Sequence, residues 1–145
     1  MEVYYHYQFI LRQEFFYINN MINGRRFYKS FHYAIEGVHY ALTHDQNLVI
    51  HFIIACLVIV FSIFLDVTPF EMGILGVTIL LVISTEMINS AIEKMVDLIT
   101  KEHRAEAKIA KDVSAGMVLL TAIGSAIIGV LIFLPHLLVL LHVKH

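Results

Sequence analysis

The chain has no tryptophan, one cysteine, two prolines and seven glycines, and only 15% of its 145 residues are charged. A single cysteine excludes an internal disulfide and any CxxC metal or redox site, and Cys56, set inside an apolar run, reads as a packed thiol. With so little proline and glycine there is no linker, and no low-complexity tract or internal repeat is present. The sequence contains no GxxxxGK[ST], no GxGxxG and no HExxH, so any nucleotide chemistry must use an unconventional site. Its nine histidines include no i, i+4 pair beside a carboxylate of the kind zinc takes; they read as scattered interfacial residues.

What is present is apolar. Hydrophobic residues make up 59% of the chain and the mean hydropathy is +0.75. Both values place it among all-α integral membrane proteins, with room for one small domain. A formal net charge of −2 gives no reason to expect a nucleic-acid partner. Three stretches are long enough to span: Leu48 to Leu65, about Phe70 to Met95, and about Val113 to Leu134, with Pro135 near the end of the last and an apolar tail to Val143. Lys94, Lys101, Arg104, Lys108 and Lys111 flank the second connection, whereas the turn Asp66-Val-Thr-Pro-Phe-Glu71 has no Lys or Arg. The basic side is therefore expected in the cytoplasm, and Arg25, Arg26 and Lys29 put the region before the first span there too. The C-terminus would then face outward, against the lone dissent of Lys144.

From Arg25 to Leu42, Phe27, Phe31, Ala34, Ile35, Val38, Ala41 and Leu42 share an arc of about 120°, with Lys29, His32, Glu36 and His39 opposite. This predicts an amphipathic helix, either lying in the membrane interface or packed on the domain from the cytosolic side. Residues 1–24 are atypical. Aromatic clusters surround Arg12 and Glu14 without a signal-peptide pattern. Two readings stand, an additional interfacial segment or a start assigned too early with Met21 as the true one, and the second is the working expectation. The expected division is thus an N-terminal extension over 1–24 and a membrane domain over 25–145.

The chemistry gathers at the end of the second span. Offsets of +3, +7 and +11 from Glu86 bring Asn89, Glu93 and Asp97 to roughly 300°, 340° and 20°, one narrow helical stripe. A polar stripe that only glues helices together would use neutral Ser, Thr or Asn. Repeated carboxylates repel one another unless a cation compensates them, which points to a cation or phosphate site. Two such acids suit Mg²⁺, which takes oxygen ligands and shares phosphate oxygens with few protein groups. Beside them runs Lys101-Glu-His-Arg-Ala-Glu-Ala-Lys-Ile-Ala-Lys-Asp112, expected as the connection between spans. Lys108 and Asp112, four apart, can pair on a helix surface and leave Lys111 free to point elsewhere, where it and Arg104 would suit phosphate charge. On the third span, Ala122, Ser125, Ala126 and Gly129 form a small-residue face that calls for helix partners.

Glu86-x-x-Asn89-Ser-Ala-Ile-Glu93-x-x-x-Asp97 followed by Ala107-Lys-x-Ala-Lys111-Asp112-x-x-Ala-Gly resembles the signature of the prokaryotic diacylglycerol kinase and undecaprenol kinase family, and the likeness covers roughly Arg26 to Leu134. The resemblance implies a homotrimer of the bacterial cytoplasmic (inner) membrane. Each chain would have one amphipathic helix, three spans and a cytoplasmic N-terminus. It implies transfer of the ATP γ-phosphate to a membrane lipid alcohol with Mg²⁺. On its motifs, Glu86 matches the catalytic carboxylate, and Asp45 and Glu93 the metal-binding acids. Nucleotide contacts fall on Arg26, Lys29, Tyr33, Asp45, Glu93, Glu102, Arg104, Lys111 and Asp112, with Asn89 and Asp97 lining the site. Two departures stand out: Asp45 where the family has Glu, and Arg104 at the loop's usual His position, with His103 one residue early. The segment Asp45-Gln-Asn47-x-x-x-His51 and the Ala-Lys-x-Ala-Lys-Asp run look more like undecaprenol kinases than diacylglycerol kinases. Outside this class, the residues alone also fit a proton-relay or assembly subunit.

Overall fold

The computed structural model describes residues 12–13, 24–102 and 104–142. The expectations placed on the remainder of 1–24, on Met21, on His103 and on the residues from 143 onward lie outside the described residues. The chain divides into two units, Met1–Tyr40 and Ala41–His145. Among the described residues four long helices follow in order, α1 Gly24–His44, α2 Gln46–Phe64, α3 Pro69–Ile99 and α4 Ala105–His142.

α1 has no buried residue. Its Phe27 and Phe31 rings meet edge-to-face at 5.0 Å, and His32 Nε2 lies 3.2 Å from Glu36 Oε1 one turn on. These are i, i+4 contacts that the helix makes with itself.

In the second unit, α2, α3 and α4 are each long and apolar enough to cross a membrane. α3 packs on both of the others, most extensively on α4. Asp45 starts α2 as its N-cap, with φ −120° and ψ 108°, and Oδ1 accepts from the backbone N–H of Asn47 at 2.9 Å and Leu48 at 3.3 Å. At the far end the helix is closed by a pair of crossed bonds. Val67 N–H donates to Ser62 O at 3.0 Å and Asp66 N–H to Ile63 O at 3.2 Å. Asp66 takes φ 55° to permit this, the left-handed cap that absorbs orphan carbonyls. Val67 then drops into a small core with Leu65, Leu75 and Ile132. Thr68 starts α3 in a reciprocal capping box, with Thr68 N–H donating to Glu71 Oε2 at 3.0 Å and Glu71 N–H to Thr68 Oγ1 at 3.4 Å. Pro69 sits in the first turn, where its missing N–H costs nothing.

Three expectations need correction. α3 has 31 residues, roughly 46 Å at 1.5 Å each, so it outruns a hydrocarbon core of about 30 Å and carries the acidic stripe with it. The connection expected over 101–112 shrinks to 100–104. Ala105 to Lys111 consists of strong helix formers, and α4 begins there. Pro135 does not mark the end of α4, which continues through it to His142. Proline removes one intrahelical bond, and on the following residue His136 Nδ1 lies 2.9 Å from Ile132 O.

Between α2, α3 and α4 lies an apolar cavity of about 550 Å³, lined among others by His51, Thr78, Val82, Ser125, Gly129 and Leu137. The small residues noted on the third span, Ala122, Ser125, Ala126 and Gly129, all line this cavity.

Candidate active site

The stripe on α3 runs from interior to surface. Glu86 is 1% exposed and Asn89 5%, whereas Glu93 and Asp97 are exposed. A carboxylate buried that completely is expensive unless its oxygens are satisfied. Asn47, Asp45, His51 and Glu93 are the polar side chains close enough to act on the Glu86 carboxyl. Its Oε1 nevertheless has no hydrogen-bond partner among the described residues. Orphaned buried polar atoms are rare, and at this one an incoming hydroxyl would find an acceptor ready.

α2 and α3 meet here through a side-chain bond. Ser90 Oγ donates to Asp45 Oδ2, while Asp45 Oδ1 takes the two N–H groups of the cap. Asp45 thus has a structural duty that the acidic pattern did not reveal. A cation could share only the remaining lone pair of Oδ2.

α3 and α4 are joined by a ladder of polar contacts. Thr85 Oγ1 lies 3.0 Å from Thr121 Oγ1. Further along the pair, Ser114 Oγ donates to Asn89 Oδ1 at 2.7 Å and Asn89 Nδ2 donates to Glu93 Oε1 at 3.2 Å. At the exposed end, Lys111 Nζ donates to Asp97 Oδ1 at 2.6 Å. That contact overturns the expectation for Lys111. Its ammonium is committed to Asp97 across the helix pair, and no ion pair joins Lys108 to Asp112 among the described residues. In the connection, Arg104 grips Glu102 Oε2 through Nε at 3.1 Å and Nη2 at 2.9 Å. Asp112 is exposed on α4. Arg26, Lys29 and Tyr33 are all exposed on α1, and their spacings of three and seven place them on one helical face.

Among the described residues no cluster of three His, Cys, Asp or Glu side chains forms a self-sufficient metal cage. Mg²⁺ seldom needs one, since it is bound by one or two carboxylates together with substrate phosphates and water. Asp45 and Glu93 both lie near Glu86 and supply oxygen donors of that kind, so the residues present fit a nucleotide-borne Mg²⁺.

The sequence profile described as prokaryotic diacylglycerol kinase matches residues 32–133. The chain belongs to the prokaryotic diacylglycerol kinase family. It is therefore a lipid kinase, with three helices among the described residues long and apolar enough to cross a membrane. Over 112 residues it is 41% identical to the undecaprenol kinase of Bacillus subtilis (strain 168), covering 77% of this chain and 91% of that protein. Over 113 residues it is 40% identical to the diacylglycerol kinase of Synechocystis sp., covering 77% of this chain and 65% of that protein. It is 28% identical over 118 residues to the diacylglycerol kinase of Escherichia coli (strain K12), covering 81% and 97% respectively. The matched span contains Asp45 and every acid of the stripe on α3, together with Lys111 and Asp112.

Thr85, Ser90, Ser114 and Thr121 carry no mark of site residues in the periodicity of this kinase. Single hydroxyls inside apolar helices give little signal. Their partners lie 25 to 45 positions away in the chain, a separation that no periodic pattern encodes.

Proposed function

We propose that this protein transfers the γ-phosphate of ATP to undecaprenol, as a homotrimer in the bacterial cytoplasmic membrane with its N-terminus in the cytoplasm and α1 lying in the cytoplasmic interface. The observation that carries the reading is the Glu86 carboxyl, buried with one oxygen unpartnered among the described residues and flanked by Asp45 and Glu93. In this reading Glu86 accepts the proton of the lipid hydroxyl as its oxygen attacks the γ-phosphorus, and the bond to the β-phosphate oxygen breaks to release ADP. Asp45 and Glu93 would hold Mg²⁺, which would neutralise charge on the phosphates. Arg26, Lys29 and Tyr33 grip the nucleotide from α1. Glu102, Arg104, Lys111 and Asp112 grip it from the cytoplasmic ends of α3 and α4, with Asn89 and Asp97 lining the path between. A triphosphate must then compete with Asp97 for the Lys111 ammonium, so the Lys111–Asp97 pair acts as a latch that bound nucleotide opens.

One fact supports undecaprenol: the relative named for it shares 41% identity over 91% of its own length. Diacylglycerol is the second reading, favoured by the 40% identical cyanobacterial protein. A proton relay would need only the stripe, not Lys111 or α1. The test is ATP consumption by the purified protein in micelles with each lipid. Faster turnover with undecaprenol is expected; a preference for diacylglycerol would reassign the substrate, and lipid-independent behaviour with both would remove the kinase reading.

A further inference from the structure

Ser114 lies on α4, opposite the stripe, and is 3% exposed. Its hydroxyl has one proton and two acceptors within reach, Asn89 Oδ1 at 2.7 Å and the carbonyl of Lys111 at 2.9 Å. The Lys111 carbonyl belongs to the interior of α4 and has its own i+4 partner, whereas Asn89 Oδ1 is buried and depends on Ser114. The identity of that bond decides the next one. With Ser114 donating to Oδ1, the amide must turn Nδ2 toward Glu93, and Nδ2 lies 3.2 Å from Glu93 Oε1. The flipped amide would set its carbonyl against a carboxylate oxygen, two acceptors face to face. Ser114, Asn89 and Glu93 therefore form a directed chain from a buried serine to an exposed acid.

We infer that Ser114 is a positioning residue for the metal: through Asn89 it fixes the orientation of the Glu93 carboxylate, an assignment that rests on Glu93 being a Mg²⁺ ligand. Carboxylates that bind metals are themselves held by outer hydrogen bonds, and removing such a partner weakens metal affinity by about ten- to a hundredfold. The same helix pair supplies an internal control. Thr121 also donates back to its own helix, to Val118 O at 2.9 Å, and meets Thr85 at 3.0 Å across the seam, but no carboxylate accepts from the Thr85 side chain among the described residues. A hydroxyl that merely joins helices should behave alike at both positions.

The experiment uses the full chain in micelles with a non-hydrolysable ATP analogue and Mn²⁺ as the probe, its binding read by electron paramagnetic resonance, in Ser114→Ala, Glu93→Gln, the double variant and Thr121→Val. Circular dichroism checks for equal helix content. Ser114→Ala is expected to weaken Mn²⁺ about tenfold, Glu93→Gln at least as much, and the double variant no more than Glu93→Gln alone, with Thr121→Val unchanged. In turnover, Ser114→Ala should raise the Mg²⁺ needed for half-maximal rate without moving KM for the lipid. Normal Mn²⁺ affinity in Ser114→Ala beside a weakened Glu93→Gln would overturn the inference while leaving Glu93 a ligand. Normal affinity in both would overturn the Glu93 assignment and the inference together. A Ser114→Ala loss that persists in full without the Glu93 carboxylate, or that Thr121→Val reproduces, would assign the effect to helix packing and also overturn it.

Discussion

Glu86 has Asn47 beside its carboxyl, and its Oε1 is the one buried side-chain nitrogen or oxygen without a hydrogen-bond partner among the described residues. Glu86→Gln keeps the size and most of the polarity but cannot take a proton. Lipid phosphorylation is expected to fall by about 10²-fold or more with helix content unchanged; near-normal turnover would remove Glu86 from the chemistry. Asp45 offers a crossed test, because its two duties need different atoms. Asp45→Asn keeps a good N-cap and loses charge, so Mg²⁺ dependence should shift while thermal stability holds. Asp45→Glu keeps charge but carries the carboxylate one methylene past the cap N–H groups, at a cost of about 1 kcal/mol. Stability lowered only in Asp45→Glu and half-saturating Mg²⁺ raised most in Asp45→Asn would separate the roles. That Glu86, Asn89, Glu93 and Asp97 share one face of α3 was legible in advance from their helical spacing. The second role of Asp45 was not, since an N-cap and a metal ligand are the same residue type, and only the backbone angles at the start of α2 tell them apart.

Helices α3 and α4 owe little of their pairing to the hydrophobic effect, which does not drive helix association in lipid. Van der Waals packing and small polar contacts do that work, and each contact contributes modestly. Thr121→Val, which leaves the Thr85 hydroxyl without its partner across the seam, is expected to cost about 0.6 kcal/mol in a micellar unfolding titration; a loss of several kcal/mol would mean that the contact holds more than itself. The spans and the first helix were visible from apolar runs and a 3.6-residue period. Their ends were not. Hydropathy registers the hydrocarbon-facing part of a helix and is blind to the turns beyond it, so α3 and α4 proved longer than their apolar windows at the ends that meet near residues 100–104. The ion pair between Lys111 and Asp97 escaped for a related reason. Sequence spacing ranks partners four residues away, and geometry ranks whatever lies across the helix pair.

As a whole, the molecule presents apolar side chains outward along all three long helices, with Phe64 70% and Leu120 73% exposed. Lipid can cover such surfaces, and so can further copies of the chain. If the protein is the homotrimer proposed above, native mass spectrometry from detergent should give three times the 16.6 kDa of one chain. A monomer that retains full activity would exclude shared sites. Family membership constrains the reaction more firmly than the lipid, since relatives at 41% and 40% identity act on different alcohols.

The rungs between α3 and α4 at Thr85, Asn89 and Asp97 make chain length itself a functional variable. Each added residue in a helix turns everything after it by about 100°. An alanine inserted between Asn89 and Glu93 would swing Glu93 and Asp97 off the shared face and part them from Asn89 and Lys111, although no side chain had been deleted. The same insertion between Thr100 and Lys101, past the end of α3, leaves every rung in phase and shifts only the connection that carries Glu102 and Arg104. A scan of single-residue insertions should therefore give a boundary near Thr100, with loss of phosphorylation on its N-terminal side and, just beyond it, retained turnover with at most a raised KM for ATP; uniform tolerance across both segments would mean that the register of the two helices is not what sets the site.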